Sequence, residues 1–264
     1  MELRRAKLLG VEYEGKENFL GGTRIAPSYI RWAVESIEDY SPYLDGNYKP
    51  YKDLGNFHAK WEWSALKFAR ILENCLKKRI SRNDRILFLG GDHFITYPLV
   101  RALRAIHGNF IIIHLDAHLD RRDEFEGTKY NHATVMRRLE EEEFEIFTLG
   151  YRAFAEGLEY KNERTYFSEV LMPLESILEE RNEPVYLSLD VDVLDPSEFP
   201  SVTNPEGGGI TFRELVEAIS MLRGRLIGAD LVEFSPITGD HYRSGVIAAT
   251  LMRELLVALK YSAF

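Results

Sequence analysis

Residues 110–115 read Phe-Ile-Ile-Ile-His-Leu, and Asp116, His118 and Asp120 then follow at alternate positions. An apolar run of this length bounded by polar residues reads as a strand buried on both faces, and such a strand needs helices covering either side of its sheet. The rest of the chain meets that demand. Strand-like runs at 5–13, 85–91, 145–149, 164–168, 184–193 and 226–234 alternate with helix-like stretches at 27–37, 61–80, 96–106, 132–143, 173–181, 211–223 and 244–260. This is the pattern of an α/β fold with a parallel sheet. Residues 41–56 carry Pro42, Gly46, Pro50 and Gly55 and read as a loop, with a short strand ending at 53–55. No linker or shift in composition divides the chain, so 1–264 is expected to be a single domain.

The formal charge of −9 argues against nucleic acid as a main partner. The lone cysteine, Cys75, excludes an internal disulfide and fits a reducing cytosol. It lies in the 61–80 helix beside Leu66, Ala69, Leu72 and Leu76 at helical spacing, and so reads as a buried thiol. The charged N-terminus lacks the apolar stretch of a signal peptide, and no apolar run reaches the ~18 residues of a membrane span. A cytoplasmic protein with no membrane partner is expected.

Three strand-like runs end in acid and histidine: Gly90-Gly91-Asp92-His93, Asp116-Ala117-His118-Leu119-Asp120, and Asp190-Val191-Asp192. In a parallel sheet all three ends lie on one edge, where ligands bind. Along a strand, alternate side chains point the same way, so Asp116, His118 and Asp120 are expected to share a face. Each run alone also suits a loop of solvated acids. Together, four carboxylates and two imidazoles would gather, and two divalent cations would neutralise them where one could not. Oxygen and nitrogen donors without thiolate suit Mn²⁺, with Zn²⁺, Co²⁺ or Fe²⁺ as substitutes. Paired ions acidify a bridging water toward neutrality, giving a hydroxide nucleophile.

The sequence resembles the ureohydrolase family of arginases, agmatinases and relatives. The resemblance rests on Gly-Gly-Asp-His (90–93), Asp-Ala-His-x-Asp (116–120), Ser-x-Asp-x-Asp-x-x-Asp-Pro (188–196), Gly-Gly-Gly-Ile-Thr-x-Arg-Glu (207–214), Val-Glu-Phe-Ser-Pro (232–236) and the opening Gly-Gly-Thr-Arg-x-Ala-Pro (21–27). It implies an arginase-like three-layer αβα sandwich with about eight mainly parallel strands, two Mn²⁺ per chain, and a homo-oligomer, trimer or hexamer. It also implies that His93, Asp116, Asp120 and Asp190 hold one ion and that Asp116, His118, Asp190 and Asp192 hold the other. Asp120 would hydrogen-bond the hydroxide, Glu233 would pair with the substrate guanidinium, and His132 would move protons. The implied reaction hydrolyses a guanidino compound to urea and an amine.

Residues 121–130 follow Asp120 and are expected to cover the substrate tail. Asp-Glu-Phe-Glu-Gly (123–127) and His-Ala-Thr-Val-Met-Arg-Arg (132–138) resemble agmatinases, especially archaeal-type ones, and Asp123, Glu124 or Glu126 could pair with the distal ammonium of a small cationic substrate. Arg121 and Arg122 could instead take a carboxylate, which leaves guanidinobutyrate or another guanidino acid such as arginine open; aminopropylagmatine is a further alternative substrate. Phe94, Asn131 and Ala133-Thr134-Val135 depart from the family pattern and bear on substrate identity. A single-zinc deacetylase of arginase-like fold or a non-catalytic relative are the competing readings. His114 is expected to pack behind the ligands, Asp92 to orient its loop and Asp195 to cap a turn. His58 and His107 are expected outside the site, His241 at most near the pocket mouth, and Glu140–Glu143 on a solvated face.

Overall fold

A computed structural model describes residues 5–15, 20–154 and 162–261. In chain order its elements are β1 (Arg5–Glu12), α1 (Ala26–Ala33), β2 (Tyr40–Ser41), β3 (Gly46–Asn47), β4 (Lys52–His58), α2 (Ala65–Arg79), β5 (Asp84–Leu89), α3 (Thr96–His107), β6 (Ile111–Leu115), α4 (Val135–Glu140), β7 (Glu145–Tyr151), β8 (Thr165–Phe167), α5 (Leu171–Glu180), β9 (Val185–Asp190), α6 (Phe212–Met221), β10 (Leu226–Val232) and α7 (His241–Lys260). The charged N-terminal stretch noted above lies partly outside the described residues.

Eight strands form one sheet in the order β4-β1-β5-β10-β9-β6-β7-β8, and every pairing is parallel. Every residue of β5, β6, β9 and β10 is buried, which explains why these strands are runs of Ile, Leu, Val and Phe without a polar face. Their side chains alternate between two cores. Leu87, Leu89, Ile113 and Leu115 face the layer of α1, α5, α6 and α7, while Ile86, Phe88 and Ile112 face α2, α3 and α4. Helices cover both faces, and the result is an αβα sandwich. Local signals fix the helix ends: Ser64 accepts from Lys67 N at the start of α2, and Thr211 and Glu214 bond reciprocally at the start of α6.

Four details differ from the sequence reading. The short strand read as ending at 53–55 is a seven-residue edge strand, β4, that runs on to His58, and its Lys-Asp-Leu-Gly-Asn-Phe-His sequence lacks an apolar face. Arg31 of α1 ties it down through Asp53 at 2.8 Å and Asn56 at 2.6 Å. In α2, Leu66 is exposed and Cys75 only half-buried, because the buried stripe runs through Phe68, Ala69, Leu72 and Leu76. The 132–143 stretch is a single 3-10 turn followed by the short α4, ending in turns. Finally, β6 stops at Leu115, so Asp116, His118 and Asp120 do not owe their placement to strand alternation.

Candidate metal centre and substrate site

β5, β10, β9 and β6 are neighbours at the middle of the sheet, and their carboxyl ends finish nearly level. Leu89 pairs with Leu231, Asp190 with Val232, and Leu115 with Leu189. The residues just beyond these ends are therefore brought together: His93 after β5, Glu233 after β10, Asp190 and Asp192 at β9, and Asp116 onward after β6. Gly91 allows the first of these turns. A Cβ there would lie 2.0 Å from the Tyr13 carbonyl oxygen, which instead accepts a hydrogen bond from Asp92 N.

His93 Nδ1 is buried and has no hydrogen bond, yet Asp116 Oδ2, Asp120 Oδ2 and Asp190 Oδ2 lie 3.2, 3.2 and 3.1 Å from it. The other ring nitrogen explains which way this one faces. Asp230, fully buried, accepts from Tyr186 Oη at 2.7 Å, Thr96 Oγ1 at 2.8 Å and Ser188 Oγ at 3.0 Å. Since the Ser188 hydrogen goes to Asp230, Ser188 Oγ accepts from His93 Nε2 at 3.0 Å. In the neutral imidazole, Nδ1 then points a lone pair at three carboxylate oxygens. A cation satisfies all four atoms at once. Ligands held at ~2.0–2.2 Å in octahedral geometry sit about 3 Å from one another, as these do.

A second group shares Asp116. His118 Nδ1 lies 2.8 Å from Asp192 Oδ2 and 3.4 Å from Asp116 Oδ1, and His118 N donates to Asp116 Oδ1 at 2.5 Å. The two oxygens of Asp116 thus face different groups, as a carboxylate shared between two ions would. Backbone contacts set this geometry. His118 forms a bridge to Ala153, and the Asp120 carbonyl accepts from Met136 N and Arg137 N at the start of α4, with Asp120 at φ 50°. Protonation follows the charge. Burial, then Asp192 and Asp116, push Asp190 well above the usual carboxylate range. Burial opposes a charged His118, but Asp192 and Asp116 outweigh it and push it up to about 12. His93 is likewise raised by Asp116, Asp120 and Asp190 against the pull of burial. The donor set therefore fits divalent cations, which relieve the carboxylates that otherwise retain or attract protons.

Glu233 and His132 stand beside this cluster. Glu233 Oε1 accepts from His93 N at 2.6 Å, and Oε2 lies 3.5 Å from Thr203 Oγ1. Burial and then Asp92 push Glu233 up to about 8. Burial lowers His132, but Asp92, with Oδ2 3.7 Å from Nδ1, and then Glu233 and Asp120 raise it to about 9. Asp92 also accepts from Phe94 N and Gly15 N, the loop-orienting role expected of it. His132 is placed by Asn131, which donates to the Phe125 carbonyl, and its ring packs edge-on to Phe125.

The loop after Asp120 is less acidic in effect than its sequence. Asp123 is exposed and engaged by Arg138 at 2.9 Å and Lys129 at 3.3 Å, while Glu124 is exposed. Arg121 is 1% exposed and grips Glu140 and Thr148, so it is not positioned to receive a substrate carboxylate, and Arg122 stacks over Phe125. Glu140–Glu143 are not merely solvated, since Glu140 holds Arg121 and Glu142 holds Tyr97. Asp195 caps its turn through Ser197, Gly208 and Gly209, as expected. His58 is exposed beside Glu12, His107 is half-buried, and His241 is exposed at the start of α7 against Tyr29. Sequence reasoning missed Asp230, Thr148 and Asn204, whose Nδ2 lies 2.9 Å from His118 Nε2. The signal for Asp230 and Thr148 was there: each is polar inside an otherwise apolar strand.

A family profile described as the arginase family matches residues 4–258. The agmatinase of Bacillus cereus is 30% identical, covering 95% of this chain and 90% of that one. The N(1)-aminopropylagmatine ureohydrolase of Thermus thermophilus is 33% identical, covering 94% and 88%. The crystal structure of a candidate agmatinase from Clostridium difficile superposes with a TM-score of 0.89 at 28% identity, over 98% of each chain. From its strand-end His/Asp cluster, its sheet and these relatives together, the chain belongs to the arginase family and is a ureohydrolase, a hydrolytic enzyme.

Proposed function

We propose that residues 1–264 form a single-domain agmatinase that uses two Mn²⁺ ions to hydrolyse agmatine to putrescine and urea. The observation that carries the reading is the pair of ligand groups joined at Asp116, with His93 Nδ1 facing three carboxylate oxygens at 3.1–3.2 Å. In this reading His93, Asp116, Asp120 and Asp190 hold one ion, and Asp116, His118, Asp190 and Asp192 the other. When bound, the ions supply a hydroxide nucleophile near neutral pH.

The remaining steps belong to the side chains. Glu233, uncomfortable as a buried anion, pairs with the planar guanidinium and fixes its carbon in place. Asp120 orients the attacking oxygen. As the bond from the guanidinium carbon to the substituted nitrogen breaks, that nitrogen takes a proton from His132, whose raised pKa keeps it charged at neutral pH. Its Nδ1 faces Asp92, which leaves Nε2 as the donor. Glu124 is the freer of the two loop acids for a distal ammonium, because Asp123 is held by Arg138 and Lys129. A single-zinc deacetylase would leave His93, Asp120 and Glu233 without a role. We read the enzyme as cytoplasmic and homo-oligomeric; among the described residues no helix is long and apolar enough to cross a membrane.

The second reading is N(1)-aminopropylagmatine as substrate, favoured by the similarity to the Thermus thermophilus enzyme. Urea release with Mn²⁺ restored, measured over agmatine, aminopropylagmatine, arginine and guanidinobutyrate, is expected to be fastest with agmatine. No urea from any of the four would overturn the hydrolase reading, and preference for arginine or guanidinobutyrate would overturn the assignment of a cationic tail.

A further inference from the structure

Behind the metal centre a line of buried polar side chains runs away from Asp116. His114 Nε2 lies 2.8 Å from Asp116 Oδ2, His114 Nδ1 lies 3.0 Å from Thr148 Oγ1, and Arg121 Nη1 lies 2.7 Å from the same Thr148 oxygen. Arg121 Nε also donates to Glu140 in α4 at 2.8 Å. His114, Asp116 and Thr148 are wholly buried.

The hydrogens along this line can be assigned one by one. A guanidinium only donates, so Thr148 Oγ1 accepts from Arg121. A carboxylate only accepts, so His114 Nε2 carries a hydrogen and donates it to Asp116 Oδ2. In the neutral ring, Nδ1 then has only a lone pair, and the Thr148 hydroxyl donates to it. Both nitrogens of His114 are thereby occupied, so His114 is not a metal ligand, although it lies within reach of His93, Asp116 and Asp120.

We propose that Arg121 and Thr148 are positioning residues: through His114 they fix one oxygen of the shared ligand Asp116 and so tie the metal pair to the loop that covers the substrate. Arg121 opens that loop, and its grip on Glu140 joins the same line to α4, whose first amides hold the Asp120 carbonyl. The proposal rests on the reading of Asp116 as a ligand shared by two ions.

The test is Mn²⁺ titration by calorimetry, with electron paramagnetic resonance of the loaded protein to report spin coupling between the ions. Thr148→Val keeps the shape of the side chain and removes the hydroxyl. It is expected to weaken Mn²⁺ binding roughly 10–100-fold, the usual effect of losing a group that orients a ligand, and to change the coupling signal. Thr148→Ser restores the hydroxyl and is expected to bind within about twofold of wild type, on the same scale. Arg121→Lys cannot reach Glu140 and Thr148 together and is expected to behave like Thr148→Val; it serves if the valine variant does not fold. Wild-type affinity and coupling in a folded Thr148→Val or Arg121→Lys would overturn the proposal and leave the two-metal reading intact. Failure of the wild type itself to bind two Mn²⁺ would overturn both.

Discussion

Asp120 and Glu233 sit on strained backbone, at φ 50° and 65°, where residues other than glycine are uncommon. Each conformation costs on the order of 1 kcal/mol and persists because neighbours hold it: Met136 N and Arg137 N at the Asp120 carbonyl, and Gly91 O as acceptor for Glu233 N. The strain aims two carboxylates at one space. Glu233→Gln keeps the shape but loses the charge, so it is expected to retain both metals while turnover falls roughly hundredfold. Metal analysis together with urea release checks this, and wild-type turnover would remove Glu233 from guanidinium pairing. A second comparison isolates the backbone. Glu233→Gly is expected to be more stable than Glu233→Ala by about 1 kcal/mol in urea denaturation, since only glycine relieves the left-handed conformation.

The same scale shows what could be read in the sequence. Acids and histidines at the ends of apolar runs pointed to His93, Asp116, His118, Asp120, Asp190 and Asp192, which the structure gathers in one cluster. Arg121 could not be understood that way. Its guanidinium turns back beneath the cluster to Thr148, 27 positions away, and nothing in the Arg121-Arg122 pair tells the buried arginine from the exposed one.

Among the elements, the turn after β9 is tied to the end of β7. Asp195 takes hydrogen bonds from Ser197 N, Ser197 Oγ, Gly208 N and Gly209 N. Gly209 is required there, since a Cβ would lie 2.4 Å from Asp195 N. Arg152 clasps the same turn from β7's end by donating to the Asp192 and Glu206 carbonyls, each at 2.7 Å. The hydrogen bonds from Ser197, more than those from the glycines, hold the Asp195 carboxyl at about 2, below its ordinary 3.8. A depressed acid stabilises the fold above its unfolded value and loses that contribution as pH falls through its folded value. Asp195→Asn is therefore expected to be less stable than wild type at pH 7, with the gap closing between about pH 5 and pH 2. Urea midpoints measured across that range check it, and a gap independent of pH would place the effect elsewhere. The sequence announced this turn through its Asp-Pro and three glycines. It showed only the start of β4, as a short strand ending at 53–55, because an edge strand needs no continuous apolar face and Lys52–His58 has none.

For the whole molecule, ions that bind only the folded cluster add to stability by mass action. At a hundredfold excess over Kd, each contributes about 2.7 kcal/mol, or roughly 5–10 °C in melting temperature for a chain of this size. Chelation is expected to lower the Tm by at least that amount and restored Mn²⁺ to recover it. An unchanged Tm would mean that the cluster holds no ion tightly. The α/β class and the parallel sheet were legible from alternating apolar runs, and the count of about eight strands from the family resemblance, but the order of the strands was not, because pairing between distant segments leaves no local mark.

That order has a consequence for how the protein is made. β10 is the last strand in the sequence, yet it lies between β5 and β9. Without residues 226–232, β4-β1-β5 and β9-β6-β7-β8 have no strand to join them, and β5 and β9 would each present unpaired backbone N–H and C=O groups on the side that becomes the centre. The residues of the proposed metal site are split in the same way, His93 on one half and Asp116, His118, Asp120, Asp190 and Asp192 on the other. Closure of the sheet and assembly of the His/Asp cluster therefore both wait for this strand, and a nascent chain that stalls before it would present two unpaired edges and an incomplete cluster.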